Sequence, residues 1–192
     1  CATGNYAFNV TGVRGDATTF AARTLMNGTL DGIVEALNIE AGTGENLLMV
    51  SDVASLVGDT VTLKNNLIQG LGGADISYTA TGGNFSGGIT LWSGFGADTV
   101  TVSSTRLDTV PVDVETITTL NTGLGDDTVT VSLDAATDGF FVLNTQGAYG
   151  REFYPEATYP AATDNDTVDA SASSLSLVVF GGQGIDDITT GS

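Results

Sequence analysis

The segment 117–133, ITTLNTGLGDDTVTVSL, constrains the fold of this chain more than any other stretch. An apolar strand ends at Leu120, and a turn rich in glycine and aspartate follows it. A second strand then alternates apolar and hydroxyl side chains up to Leu133. Alternation with a period of two is typical of a strand that buries one face. Because the same strand–turn–strand unit recurs along the chain, the sequence predicts a protein built from repeats.

The repeat unit recurs at intervals of about 20–30 residues, which is the range of repeat architectures. Aligning the copies on the apolar residue three positions before each turn gives Ile39, Leu67, Leu91, Leu120, Leu143 and Val179. A second apolar pair follows each turn, as in Val100 with Val102 and Val129 with Val131. One coil of this length buries only one or two side chains per strand, so it is stable only when stacked on its neighbours.

This pattern predicts an all-β fold, a parallel β-solenoid of about six or seven coils. The alternative is an antiparallel β-sandwich, which also has many short strands with turn signals. Residues 1–36 fit the repeat least well and are expected to form an irregular first coil or a cap, and residues 37–192 the solenoid. The largest interruption, 148–163, is predicted to be an aromatic side loop that contacts carbohydrate or a partner through Tyr149, Phe153, Tyr154 and Tyr159.

The charge of the chain limits its partners. It has 23 acidic and 5 basic residues, no histidine and a net charge of −18. This charge disfavours nucleic acid and anionic membrane surfaces as partners, because little in the chain can neutralise phosphate groups. No run of about 18 apolar residues is present, so no membrane insertion is expected. Acidic groups held close together need cations or protons, and calcium suits hard oxygen ligands.

Catalysis finds little support in the sequence. With no histidine and Cys1 as the single cysteine, neither Ser-His-Asp nor Cys-His chemistry can be assembled within the chain. Acidic pairs such as Asp126 and Asp127 recur with the repeat, which favours a structural role over one active site. The sequence therefore predicts that the chain is not an enzyme. Three interpretations of Cys1 stay open: it is a free thiol, it forms a disulfide with a segment outside this chain, or it carries a lipid.

The turns carry a recognisable motif. Residues 181–189, GGQGIDDIT, match the nonapeptide G-G-x-G-x-D-x-U-x at every fixed position. Residues 122–130, TGLGDDTVT, and 93–101, SGFGADTVT, match it except at the first glycine. Residues 41–49, AGTGENLLM, form a degenerate copy with Asn46 at the aspartate position.

These turns resemble the calcium-binding repeats of the RTX family. Together with FFVLNT (140–145), DTVDAS (166–171) and LVVFGGQGIDD (177–187), they are also similar to large secreted repeat proteins of bacteria and algae. The resemblance covers roughly residues 37–192 and implies calcium as cofactor. It implies Asp98, Asp127 and Asp186 as carboxylate ligands, Asp75 and Asp166 as further candidates, and turn glycines Gly94, Gly96, Gly123, Gly125, Gly182 and Gly184.

The chain departs from the RTX pattern, in which each coil of about 18 residues carries two nonapeptides. Here each coil is longer and carries one such turn, so a row of calcium ions would run along one edge or be partly lost. The alternative is that these are ordinary Gly-Asp turns, whose aspartates accept hydrogen bonds from backbone N–H groups.

The expected function is that of a secreted, extracellular or cell-surface module, a structural part of a fibre, matrix or adhesin stiffened by calcium. Its expected partners are further repeats of the same chain or another copy stacked end to end. The alternatives are a carbohydrate- or partner-binding module that uses the aromatic loop, and the secretion tail of an enzyme domain outside this chain. Sequons predict glycosylation at Asn9, Asn27 and Asn84.

Overall fold

The computed structural model describes residues 28–108, 116–145 and 164–191. Within these ranges the chain is all-β, with 15 strands and no helix, which confirms the predicted class. It follows that no helix in the described ranges is long and apolar enough to cross a membrane. The strands are β1 (Leu37–Glu40), β2 (Gly44–Glu45), β3 (Leu48–Ser51), β4 (Thr60–Lys64), β5 (Leu67–Gln69), β6 (Ile76–Thr79), β7 (Gly83–Asn84), β8 (Ile89–Trp92), β9 (Thr99–Val102), β10 (Thr118–Asn121), β11 (Thr128–Val131), β12 (Phe141–Asn144), β13 (Thr167–Ala170), β14 (Leu177–Phe180) and β15 (Asp187–Thr190).

The strands form three sheets. An eight-stranded sheet has the order β1-β6-β5-β4-β9-β11-β13-β15, and a five-stranded sheet has the order β14-β12-β10-β8-β3. A third, two-stranded sheet pairs β2 with β7. All neighbouring strands are parallel except β5, which is antiparallel to both β4 and β6. Apolar side chains of the two large sheets belong to one buried cluster, so these sheets share a core.

Both large sheets keep a strict register from one repeat to the next. In the eight-stranded sheet one column of paired positions contains Val61, Val100, Val129, Val168 and Ile188. In the five-stranded sheet the matching column contains Val50, Leu91, Leu120, Leu143 and Val179. The repeat alignment predicted from Leu91 through Val179 is therefore confirmed by the strand register.

The first two positions of the predicted alignment are wrong. Ile39 lies in β1 and pairs with Tyr78 of β6, and Leu67 begins the antiparallel strand β5. The residue that pairs with Leu91 at the start of the five-stranded column is Val50, and neither Ile39 nor Leu67. The physical cause is a β4–β5 hairpin closed by Asn65 and Asn66, since asparagine tolerates the left-handed backbone of tight turns. This hairpin inserts a strand into the sheet.

Side chains in the middle of the sheets alternate between core and solvent. In β9 and β11 the valines are buried and the threonines between them are exposed. In the same buried cluster the rings of Tyr78 and Phe85 meet edge to face, with their centroids 5.7 Å apart. By the same alternation, the residue just before β9 or β11 is buried, at the point where the turn joins the strand.

Candidate functional site

An aspartate stands immediately before six strands of the eight-stranded sheet, and five of these aspartates are linked to one another. One hydrogen bond is repeated between them, donated by the backbone N–H of one aspartate to Oδ1 of the next. It joins Asp59 to Asp98 over 2.7 Å, Asp98 to Asp127 over 2.8 Å, Asp127 to Asp166 over 2.9 Å and Asp166 to Asp186 over 3.1 Å. We call these five residues the aspartate ladder.

The ladder contains four of the five predicted carboxylate ligands, Asp98, Asp127, Asp166 and Asp186. Asp75 lies apart from it: this residue is exposed, precedes β6, and accepts a hydrogen bond of 2.9 Å from the Gln69 side chain. Asp59 takes the corresponding ladder position, and sequence reasoning missed it. The recurrence of GDTVTL (58–63), ADTVTV (97–102) and DDTVTV (126–131) was the signal that could have found it.

The second carboxylate oxygen distinguishes the ladder members from one another. Oδ2 of Asp98 accepts a short hydrogen bond from the Ser93 hydroxyl. Oδ2 of Asp127 and Oδ2 of Asp166 are buried and have no hydrogen-bond partner among the described residues. The hydroxyl beside Asp127 belongs to Thr122, and it donates its proton to the Thr145 carbonyl over 2.8 Å. Within the described ranges Oδ2 of Asp59 likewise has no partner, so three carboxylate oxygens of the ladder lack a donor. Two of them belong to Asp127 and Asp166, each of which is 1 % exposed.

Burial controls the protonation of the ladder. Removal from water raises the pKa of Asp127 to about 8, although the hydrogen bond from the Asp98 N–H lowers it in part. Burial raises the pKa of Asp98 to about 6 against the opposing hydrogen bonds from Ser93 and Asp59. Burial likewise raises the pKa of Asp166. In the absence of a cation, the Asp127 carboxyl therefore holds a proton at neutral pH.

Calcium needs six to eight oxygen ligands, usually including several carboxylates. Among the described residues no group of three or more His, Cys, Asp or Glu side chains converges on one point. Both oxygens of Asp98 accept hydrogen bonds, so this predicted ligand has none to spare. The orphaned oxygens of Asp127 and Asp166 are the part of the ladder that fits a cation. Calcium at these turns stays a prediction.

The turn glycines have a different, steric role in the stack. A Cβ added to Gly123 would lie 1.6 Å from the carbonyl oxygen of Gly94 in the adjacent turn. One added to Gly96 would lie 1.9 Å from the backbone nitrogen of Gly58. Backbone packs directly on backbone where successive turns stack, and only glycine leaves room for it. Five of the six predicted turn glycines also have a positive φ, namely Gly94, Gly123, Gly125, Gly182 and Gly184.

Several predicted site residues lie outside the described ranges. These are the four aromatic residues proposed for partner binding, Tyr149, Phe153, Tyr154 and Tyr159, and the sequon residues Asn9 and Asn27. The third sequon residue, Asn84, belongs to β7 and is 4 % exposed, and its Oδ1 accepts a hydrogen bond of 3.0 Å from the Ser86 N–H. This burial leaves a glycan on Asn84 no route to solvent in the folded state.

Asp108, a buried carboxylate outside the ladder, was also missed by sequence reasoning. It accepts hydrogen bonds from the Arg106 Nε over 2.8 Å, the Phe85 N–H over 2.8 Å and the Thr116 hydroxyl over 2.6 Å. The Arg106 guanidinium also lies 5.2 Å from the centre of the Phe85 ring. Both carboxylate oxygens of Asp108 are satisfied by protein donors, so the network has a structural role.

Comparisons with known proteins bring no relative to this site. No protein-family model matches the chain, and neither a curated protein nor a solved structure matches it. A functional assignment must therefore follow from the geometry of the stack and its turns.

Proposed function

We propose that the chain is a parallel β-solenoid that serves as a structural module of a secreted fibre, matrix or adhesin. The observation that carries this proposal is the continuous register of both large sheets, each with five strands paired in parallel without a break. A module with this register gains rigidity because every strand is hydrogen-bonded to the repeats on both sides of it.

The order of the strands supports the solenoid over the sandwich. The described strands from β8 to β15 lie alternately in the five-stranded and the eight-stranded sheet. Each return to a sheet adds one strand beside the previous one, in parallel orientation. A β-sandwich of antiparallel strands would pair neighbours in opposite directions, as only β5 does in the described part of the chain.

The last strands of both sheets present an edge on which a stack can continue. Among the described residues, no strand pairs with the outer side of β14 or of β15. Between them lies a cavity of about 530 Å³ lined by Leu177, Val179 and Ile188 among others. Nearby, Ile185 is 87 % exposed and Phe180 is 55 % exposed. Unpaired strand edges template further strands, so we propose that another repeat, of this chain or of a second copy, covers this end.

Calcium remains part of the proposal because of one observation, the two orphaned oxygens of Asp127 and Asp166. These residues would hold the ion, and its charge would neutralise carboxylates of adjacent turns in an acidic chain. The resemblance of the turns to RTX repeats supports the same idea. The alternatives, carbohydrate binding by the segment 148–163 and a role as secretion tail, depend on residues outside the described ranges or outside the chain.

The end of the stack gives the proposal a direct test by sedimentation velocity over a wide range of protein concentration. We expect the protein to form linear oligomers as the concentration rises. Ile188→Lys places a charge on the open end and is expected to weaken association about tenfold or more, because burying one such side chain contributes roughly 1.5–3 kcal/mol. The matched control is Leu56→Lys, which changes an exposed residue in a turn away from that end.

Wild-type protein that stays monomeric at all concentrations would contradict end-to-end association of two copies. Equal weakening by Ile188→Lys and Leu56→Lys would show that association is not directed to the open end. Loss of association in Ile188→Lys alone is the outcome that the proposal requires.

A further inference from the structure

The outer surface of the eight-stranded sheet carries a regular array of threonines. Strands β4, β9 and β11 each place two of them on this surface, of which Thr62 is half-buried, and β13 adds a seventh; we call this set the threonine face. Its members are Thr60, Thr62, Thr99, Thr101, Thr128, Thr130 and Thr167.

The threonines lie in two columns because the strands pair in register. Thr60, Thr99, Thr128 and Thr167 are consecutive partners in the first column. Thr62, Thr101 and Thr130 are consecutive partners in the second. Neighbouring strands lie about 4.8 Å apart, and alternate residues of one strand lie about 6.6 Å apart. The hydroxyl and methyl groups therefore repeat in two dimensions with fixed spacings.

The hydroxyls of the threonine face are free to bind water. Within the described part of the chain none of the seven takes part in a side-chain hydrogen bond, while other threonines do: Thr105, Thr122 and Thr145 each donate to a backbone carbonyl. A β-branched side chain is stiff about χ1, so each hydroxyl and each methyl group is held in place by its own strand. The face is thus ordered before any ligand arrives.

The face is also uncharged, although the chain carries a net charge of −18. Asp169 interrupts the second column between Thr130 and Thr189. Asp187 ends the first column in β15, and Lys64 lies at the end of β4. None of the seven positions of the threonine face itself carries an acidic or basic side chain. A neutral surface of small hydroxyl and methyl groups does not suit an ionic partner, and it has no large aromatic side chain on which a sugar ring could stack.

We propose that the threonine face binds the surface of ice. Its two spacings are close to the oxygen repeats on the prism faces of hexagonal ice, so water held by the hydroxyls and around the methyl groups can join the crystal lattice. A disordered partner would gain nothing from a two-dimensional repeat, whereas a crystalline one gains a contact from every threonine. Polar contacts made through ordered water are nearly as favourable as direct hydrogen bonds.

Ice itself is the probe that tests this proposal. Thermal hysteresis and the shape of single ice crystals are measured by nanolitre osmometry, with millimolar calcium present throughout so that any calcium requirement of the fold is met. Wild-type protein is expected to produce faceted crystals and measurable hysteresis. Thr101→Tyr, at the centre of the array, is expected to lose most of the hysteresis. The matched control Thr119→Tyr, on the outer face of β10 in the other sheet, is expected to retain it.

Circular dichroism melts of both variants establish that they are folded, and light scattering records their oligomeric state. Round, freely growing crystals in the presence of folded wild-type protein would overturn the proposal. Equal loss in Thr101→Tyr and Thr119→Tyr would overturn it as well. A wild-type dimer that dissociates in Thr101→Tyr would show that the face binds a second copy instead. None of these outcomes depends on whether the open end of the stack associates.

Discussion

Gly123→Ala is expected to destabilise the protein by about 3–5 kcal/mol, which is among the largest effects a single substitution produces. Gly123 has φ of 99°, a backbone conformation in which an alanine is strained. The added Cβ would also lie 1.6 Å from the carbonyl oxygen of Gly94, so two stacked turns would have to separate. Urea unfolding followed by circular dichroism measures the change in free energy of unfolding.

Gly42→Ala is the matched control for this prediction. Gly42 has φ of 73°, and a Cβ added there would have no heavy atom within 4 Å. Its substitution carries only the backbone strain, which costs about 1 kcal/mol. If Gly123→Ala cost no more than Gly42→Ala, backbone-on-backbone packing of the turns would be refuted.

Asp127→Asn is expected to stabilise the protein by about 5 kcal/mol at pH 8 in EDTA and to have little effect at pH 4. Burial raises the pKa of Asp127 to about 8, above the ordinary value of 3.8 in the unfolded chain. The folded state therefore holds a proton that the unfolded state loses. Its contribution to stability is complete below pH 3.8 and is lost as the pH rises through about 8. Asparagine resembles the protonated acid at every pH and keeps the oxygen that accepts the Asp98 N–H bond.

Thermal and urea unfolding from pH 4 to pH 9 measure this effect. The free energy of unfolding of the wild type should fall with rising pH, and that of Asp127→Asn should fall less. Asp126→Asn is the control, because Asp126 is the exposed neighbour whose carboxylate accepts the Asn165 N–H over 2.9 Å. A wild type that becomes more stable between pH 5 and pH 8 in EDTA would show that the ladder does not hold protons.

The same pair of proteins tests calcium. If calcium binds Asp127 and Asp166, millimolar calcium should raise the melting temperature of the wild type at pH 8 and leave Asp127→Asn unaffected. In calcium the wild type would then be more stable than Asp127→Asn, which is the reverse of their order in EDTA. Identical melts with calcium and with EDTA would sink the calcium part of the proposed function and leave a ladder neutralised by protons.

The C-terminal repeats were predictable because their signals are local. Each has alternating valine and threonine, a glycine pair in the turn and an aspartate before the second strand, as in 93–102 and 122–131. These short patterns place Leu91, Leu120 and Leu143 in one column without knowledge of the distant pairing.

The N-terminal repeats were not predictable from the same signals. The residue types at Asn65 and Asn66 do not distinguish a hairpin from an ordinary loop. Nothing in the local sequence shows that β5 enters the sheet between β4 and β6. For that reason the sequence pattern points to Asp75 as a candidate ligand, whereas the ladder position belongs to Asp59. Protonation of Asp127 was beyond sequence reasoning too, because it depends on burial by residues from adjacent turns. The threonine face emerges only once the register of four strands is known.

The most direct test of the central claim, parallel in-register stacking, is a pair of double cysteine variants in a Cys1→Ser background. Thr101 and Thr130 are register partners, so their cysteines would lie about 4.8 Å apart across the sheet and within disulfide range. Thr101 and Ser132 share a face but are offset by two residues, which separates them by about 8 Å. We expect rapid intramolecular disulfide formation in Thr101→Cys/Thr130→Cys and little in Thr101→Cys/Ser132→Cys. Equal or reversed rates of oxidation would contradict the stacked register on which the proposed function depends.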